Sequence, residues 1–151
     1  MSDVLNAIVD RNRIIDTLVR LFVHTDRRDW ETVKSVFAPQ VIMDMTSMTG
    51  GEPDFLSPEE IAGGWDENLK PLKQIHHQVS NFIVDAREQD ANAHCYGIAS
   101  HYLPNPTHRD TRTFVGTYDF HLVRDGDAWK IDKFKFNLKY IEGNVDLGAA
   151  H

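Results

Sequence analysis

An α+β fold, with helices packed on one face of a curved antiparallel sheet, follows from three features of the sequence. Apolar residues recur at helical spacing through Leu69. From Lys73 onward the pattern changes to period two, and turn-rich segments such as Asp125-Gly126-Asp127 divide this half into long strands. Helices first and an antiparallel meander afterwards place the two classes of element in separate layers. Residues 1–151 read as a single domain, without repeats or low-complexity tracts.

Leu5, Ile8, Ile15, Leu18, Val19 and Phe22 share one side of a helix or a pair of abutting helices, with Arg11, Arg13 and Arg20 elsewhere. Asp29 can cap a second, short helix carrying Trp30, Val33 and Phe37, which Pro39 stops. Val41 to Met45 alternates as a strand, and Thr49-Gly50-Gly51-Glu52-Pro53 is a loop suited to the mouth of a pocket. Ser57-Pro58-Glu59-Glu60 carries the cap, the first-turn proline and the capping-box glutamate of a third helix that runs to Leu69. Strands follow over Lys73 to Ala86, Asn92 to Leu103, Thr111 to Arg124 and Ala128 to Ile141. In the last of these the apolar phase slips between Trp129/Ile131 and Phe134/Phe136/Leu138/Tyr140, which predicts a bulge or sharp bend.

The composition excludes several functions. With 151 residues, 26% charged and 41% hydrophobic, the chain is large enough for one core and is neither fibrous nor disordered. A net charge of −7 and the absence of a basic run argue against a nucleic-acid partner. Lone Cys95 excludes an intrachain disulfide and suits a reducing compartment. Neither a signal peptide nor an apolar stretch of the ~20 residues that cross a bilayer is present, so a cytoplasmic location without membrane contact is expected.

Asp26 is the most informative residue. Ile15, Val19 and Phe22 lead by steps of four and three to a position where the helix should present another apolar group, and a carboxylate stands there. It needs a partner, and the strands supply imidazoles. His76 and His77 point to opposite faces of their strand, and alternation groups His77 with Val79 and Ile83, which favours His77 as the inward one. On the next strand Ala93, Cys95, Gly97 and Ala99 share a face with His101, small residues that leave room beside an imidazole. On the third, Phe114, Gly116, Tyr118, Phe120, Leu122 and Arg124 share a face that is apolar except for its phenol and guanidinium.

Each of these has a bland explanation: a single inward His or Tyr is more often a satisfied core residue, and Asp26 can pair with Arg27 or Arg28. Their coincidence on faces that look toward one interior is what points to a site. The eight histidines do not form a metal site, since no His-x-His or His-Glu-x-x-His spacing occurs. Gly63-Gly64 lacks the Lys-Ser/Thr of a phosphate loop, and no serine stands in a nucleophile elbow.

The chain resembles the SnoaL-like proteins of the NTF2-like superfamily, which include scytalone dehydratase, hexachlorocyclohexane dehydrochlorinase and bile acid 7α-dehydratase. The resemblance rests on His24-Thr25-Asp26-Arg27-Arg28-Asp29-Trp30 with Phe37-Ala38-Pro39, on His76-His77-Gln78-Val79-Ser80-Asn81, and on Gly116-Thr117-Tyr118 through Arg124-Asp125-Gly126 to Trp129-Lys130-Ile131. It implies a cone-shaped, cystatin-like fold with a strongly curved, mostly antiparallel mixed sheet, assembled as a homodimer or homotrimer. By position, Asp26 and His77 match the family's dyad, His101 matches a second pocket histidine of scytalone dehydratase, and Arg124 matches an arginine of the dehydrochlorinase. Gly116 and Tyr118 stand where scytalone dehydratase has a serine and an asparagine, and Thr25 and Met45 replace its water-activating tyrosines, which argues against scytalone as substrate.

The expected function is therefore a cofactor-free lyase of the dehydratase type, or an isomerase or cyclase using the same parts. Asp26, His77, His101 and Tyr118 are the expected catalytic groups, and Arg124, Phe22, Met43, Met45, Phe114 and Phe120 are expected to bind a hydrophobic, ring-bearing substrate. The alternatives are a noncatalytic ligand-binding module and an oligomerisation subunit like the β-subunits of ring-hydroxylating dioxygenases.

Overall fold

The structure is a computed structural model that describes residues 2–148. Its first element is one continuous helix, α1 (Asp3–Asp26), capped by the Ser2 hydroxyl, which accepts from the Leu5 N–H at 3.2 Å. The buried stripe is Ile14, Leu18, Leu21, Phe22 and Thr25, one residue out of phase with the expected Ile15 and Val19. Leu5 and Ile8, expected on the apolar side, are exposed. Burial of each leucine contributes about 1.5–3 kcal/mol, so the second half of α1 anchors the helix.

Arg28, at φ 55°, breaks the chain between α1 and α2 (Trp30–Ser35). Asp29 caps α2 by accepting from the Thr32 N–H, as expected. Phe37 does not continue that helix but opens β1 (Phe37–Asp44), where a shift in pairing between Phe37 and Ile42 accommodates Pro39, which has no N–H to give a ladder. A single helical turn, α3 (Thr46–Thr49), and a short strand, β2 (Asp54–Leu56), follow. Gly50 and Gly51, at φ 69° and 74°, make the reversal between them. In α4 (Pro58–Leu69) the Ser57/Glu60 capping box is complete.

The long strands are β3 (Gln74–Ala86), β4 (Asp90–Tyr102), β5 (Thr111–Asp125) and β6 (Ala128–Gly143). The sheet order is β2-β1-β6-β5-β4-β3; β1 runs parallel to β6 and every other neighbouring pair is antiparallel. The result is an open mixed sheet with the helices against one face, the α+β cone expected.

Further irregularities bend the sheet, among them a shift between Val115 and Gly116 that leaves Lys139 as an extra residue in β6. In β6, Leu122 pairs with Ile131 but His121 with Lys133, so Asp132 is an extra residue at the expected phase slip. In β3 the register shifts between Ser80 and Ile83, and Asn81 adopts φ 60°. The inward face changes there: Ile75, His77 and Val79 face the helices before the bulge, and Phe82 and Val84 after it. Ile83, grouped with His77 by strict alternation, is 69% exposed as a consequence. Among the described residues no helix is long and apolar enough to cross a membrane.

Candidate active site

A cavity of about 420 Å³ lies between the inner face of the sheet and the helices, within the usual size range of small-molecule sites. Phe22 and Thr25 from α1, Met48 and Thr49 from α3, and Trp65, Asn68 and Leu69 from α4 form one side. The strands contribute His77, Ala99, His101, Arg112, Phe114 and Tyr118, with Phe134 and Phe136 at the floor. The helical side is held in place by polar ties. Trp30 Nε1 donates to Asp66 at 3.1 Å, and Arg28 donates to the carbonyls of Leu69 and Leu72 at 3.2 and 2.6 Å, joining the end of α4 to the start of α2.

Asp26 is the last residue of α1 and meets β3, not Arg27 or Arg28. Its Oδ1 lies 2.6 Å from His77 Nδ1, and its Oδ2 accepts from the His77 backbone N–H at 2.8 Å. Both side chains are largely buried, at 18% and 12% exposure. A carboxylate can only accept, so Nδ1 carries the proton and Nε2 is the ring nitrogen left with a lone pair. Phe22 packs on this ring at 5.3 Å and limits its rotation. His76, on the opposite face of β3, is exposed.

His101 is 8% exposed and pairs across strands with Arg112. Arg112 Nη2 donates to His101 Nδ1 at 2.9 Å, which leaves the proton of the neutral ring on Nε2. Burial, helped by the Arg112 charge, lowers the His101 pKa to about 4. The two imidazoles at the cavity are therefore in opposite tautomers: one offers a lone pair and the other an N–H.

Tyr118 is 4% exposed within an aromatic group of Phe22, Phe120, Phe134 and Phe136, and burial pushes its phenol well above the usual range. The room left by small residues on β4 is filled in part by this ring, which lies across Gly97; Ala99 remains at the cavity wall. Cys95 is buried behind it, and desolvation, with the Asp119 charge, raises its thiol to about 12, as suits a core residue.

Three expected binding residues are not at the cavity. Arg124 is on the inward phase of β5 but at its far end, where it pairs with Asp10 at 2.7 Å, donates to the Glu88 carbonyl and stacks on Trp129. Strand alternation gives the face and not the position along it. Met43 and Phe120 are 5% and 3% exposed in the core behind the cavity, where they support its aromatic wall. Phe22, Met45 and Phe114 do line it. The guanidinium at the cavity is Arg112, which the sequence reading missed. The signal was present: Arg112 continues the alternation of Phe114, Gly116 and Tyr118 by one step. Among the described residues no three His, Cys, Asp or Glu side chains gather as a metal-binding group.

No curated protein matches the chain. Solved structures do. The Kfla4162 protein from Kribbella flavida is 25% identical, with a TM-score of 0.89 over 95% of this chain and 99% of that one. A protein from Novosphingobium aromaticivorans, provisionally assigned as a scytalone dehydratase, is 15% identical with a TM-score of 0.80 over 91% and 89%. Hexachlorocyclohexane dehydrochlorinase LinA-type3 from Novosphingobium barchaimii is 15% identical with a TM-score of 0.77 over 97% of each chain. The SnoaL-like domain model matches residues 6–135, most of the cone and every residue of the cavity wall except Phe136, and the chain belongs to the SnoaL-like family.

Proposed function

We propose that this protein is a cofactor-free lyase that removes water, or a comparable leaving group, from a hydrophobic ring-bearing molecule, with His77 as the base and Asp26 as its orienting partner. The observation that carries this reading is the buried two-point contact of Asp26 with His77 at the wall of an apolar cavity. His77 Nε2 takes a proton from carbon, and Asp26 stabilises the imidazolium that forms. In a substrate whose ring carries a carbonyl beside that carbon and the hydroxyl on the next one, the electron pair of the C–H bond delocalises into the carbonyl as an enolate, whose oxygen accepts from His101 Nε2–H or the Tyr118 hydroxyl. Collapse of the enolate forms the double bond and expels hydroxide, which leaves as water with the proton held by the imidazolium. Every proton is then accounted for and His77 returns to its starting form. Return of the proton to a different carbon would give an isomerase with the same residues.

Two structures of similar fold carry the names of eliminating enzymes, a dehydratase and a dehydrochlorinase, which is consistent with this chemistry. Assembly as a homodimer or homotrimer is part of the proposal; the exposed Tyr96, Ile98, Tyr102 and Tyr140 on the outer face of the sheet suit such contacts. A panel of hydroxylated aromatic and terpenoid compounds, assayed for loss of water, tests the reaction. Turnover by the wild type that is lost in His77→Gln supports it. Turnover that survives in His77→Gln at the wild-type rate, or tight binding without reaction across the panel, would leave a binding module in its place.

A further inference from the structure

Arg112 is the one side chain with a permanent charge among the residues that line the cavity. A guanidinium has five N–H donors and no acceptor, so its partners can be counted. Nη2 donates to His101 at 2.9 Å, and Nη1 reaches the Val145 carbonyl at a long 3.4 Å. Nε is buried and has no partner. Both partners are neutral, because His101 stays unprotonated beside this charge.

Of the other eight arginines, Arg11, Arg27 and Arg109 are exposed to solvent, Arg28 donates to two backbone carbonyls, and Arg13, Arg20, Arg87 and Arg124 each lie within ion-pair distance of an aspartate. No carboxylate of the described residues does the same for Arg112, and burial alone lowers its pKa, with no acidic neighbour acting against it. Asp26, the nearest acid of the site by function, gives both oxygens to His77. Arg112 is half-buried, and even a partly desolvated cation without a counter-ion carries a cost that an anionic ligand would offset. Phe114 lies beneath the guanidinium at 5.2 Å, so the edge of the group and not its face is left for an anion.

We infer that Arg112 is the anchor for an anionic substituent, and that the cavity takes an apolar ring bearing a carboxylate, held at Arg112 in the cavity that His77 also lines. The carboxylate would accept from the guanidinium edge, with the charge-assisted geometry that arginine gives such groups. Only the placement of a reacting carbon near His77 rests on the reading of the previous subsection; the anion preference stands without it.

The test compares naphthalene-2-carboxylate with its uncharged analogue naphthalene-2-carboxamide, by calorimetry and by quenching of tryptophan fluorescence from Trp65 in the wall. The wild type is expected to bind the acid about tenfold more tightly than the amide, or better. Arg112→Gln should abolish that preference, Arg112→Lys should keep part of it, and Arg124→Gln, outside the cavity, should leave it intact. The wild-type comparison needs no variant to fold. Equal affinity for acid and amide, no binding of the acid, or a preference that persists in Arg112→Gln would overturn the inference. Since binding is read without turnover, a standing preference beside a failed elimination assay removes the catalytic reading alone, and turnover without preference removes the anchor alone.

Discussion

The ring of Tyr118 lies across the backbone of Gly97 on the neighbouring strand, so close that a Cβ at Gly97 would fall on the ring's Cε2. The absence of a side chain at Gly97 is what lets the phenol lie flat against β4 and reach the cavity. Gly97→Ala is expected to destabilise the fold by about 1–3 kcal/mol, the cost of forcing a methyl into a filled core. Urea denaturation measures it, and an unchanged midpoint would show that Tyr118 relocates freely.

His101 gives the protein an acid-side weakness. Its pKa is about 4 in the fold and about 6.5 when unfolded, so between these values the unfolded chain binds the extra proton. Stability that is fully present above pH 6.5 is therefore lost as pH falls toward 4. In His101→Gln the melting temperature should depend less on pH across this window. Parallel curves for the two proteins would contradict the assignment.

The capping box at Ser57 supports the cavity indirectly, because α4 carries Trp65, Asn68 and Leu69 into its wall. Ser57→Ala removes the acceptor of the Glu60 N–H and should cost about 1 kcal/mol. Denaturant unfolding reads the loss, and Trp65 fluorescence should report loosening of the helix at lower denaturant than the sheet.

Asp26→Asn separates orientation from charge. The amide is close in size, but it can also donate, which favours the wrong His77 tautomer and removes the counter-charge of the imidazolium. Turnover on any substrate found should fall about 10²–10⁴-fold, the scale of general-base assistance, with little change in ligand affinity. A kcat unchanged within about twofold would mean that the carboxylate has a structural part only.

Much of this was readable before the coordinates, and the failures have local causes. The uninterrupted alternation from Ala93 to His101 gave β4 and its inward face, though the strand begins at Asp90, before the expected Asn92. Asp26 and His77 were readable as a pair because each was a polar exception on an otherwise apolar face. The reversal of face at Asn81 was not readable, because a non-glycine residue at positive φ leaves no mark in composition. Nor was β2, whose three residues are too few to show a period. Arg112 and Arg124 stand at opposite ends of one strand face, and only the depth of the cone, set by how the helices cover the sheet, decides which of them meets a ligand.

The bond from the His77 backbone N–H to Asp26 has a consequence for the molecule in a crowded solution. β3 is the last strand of its side of the sheet, and this N–H points away from β4, toward where another strand would add. By occupying that donor, the aspartate also blunts an open edge against pairing with other chains. Replacing it therefore removes a guard against aggregation along with a partner of the imidazole, so the acid has a reason to stand there apart from any catalytic part.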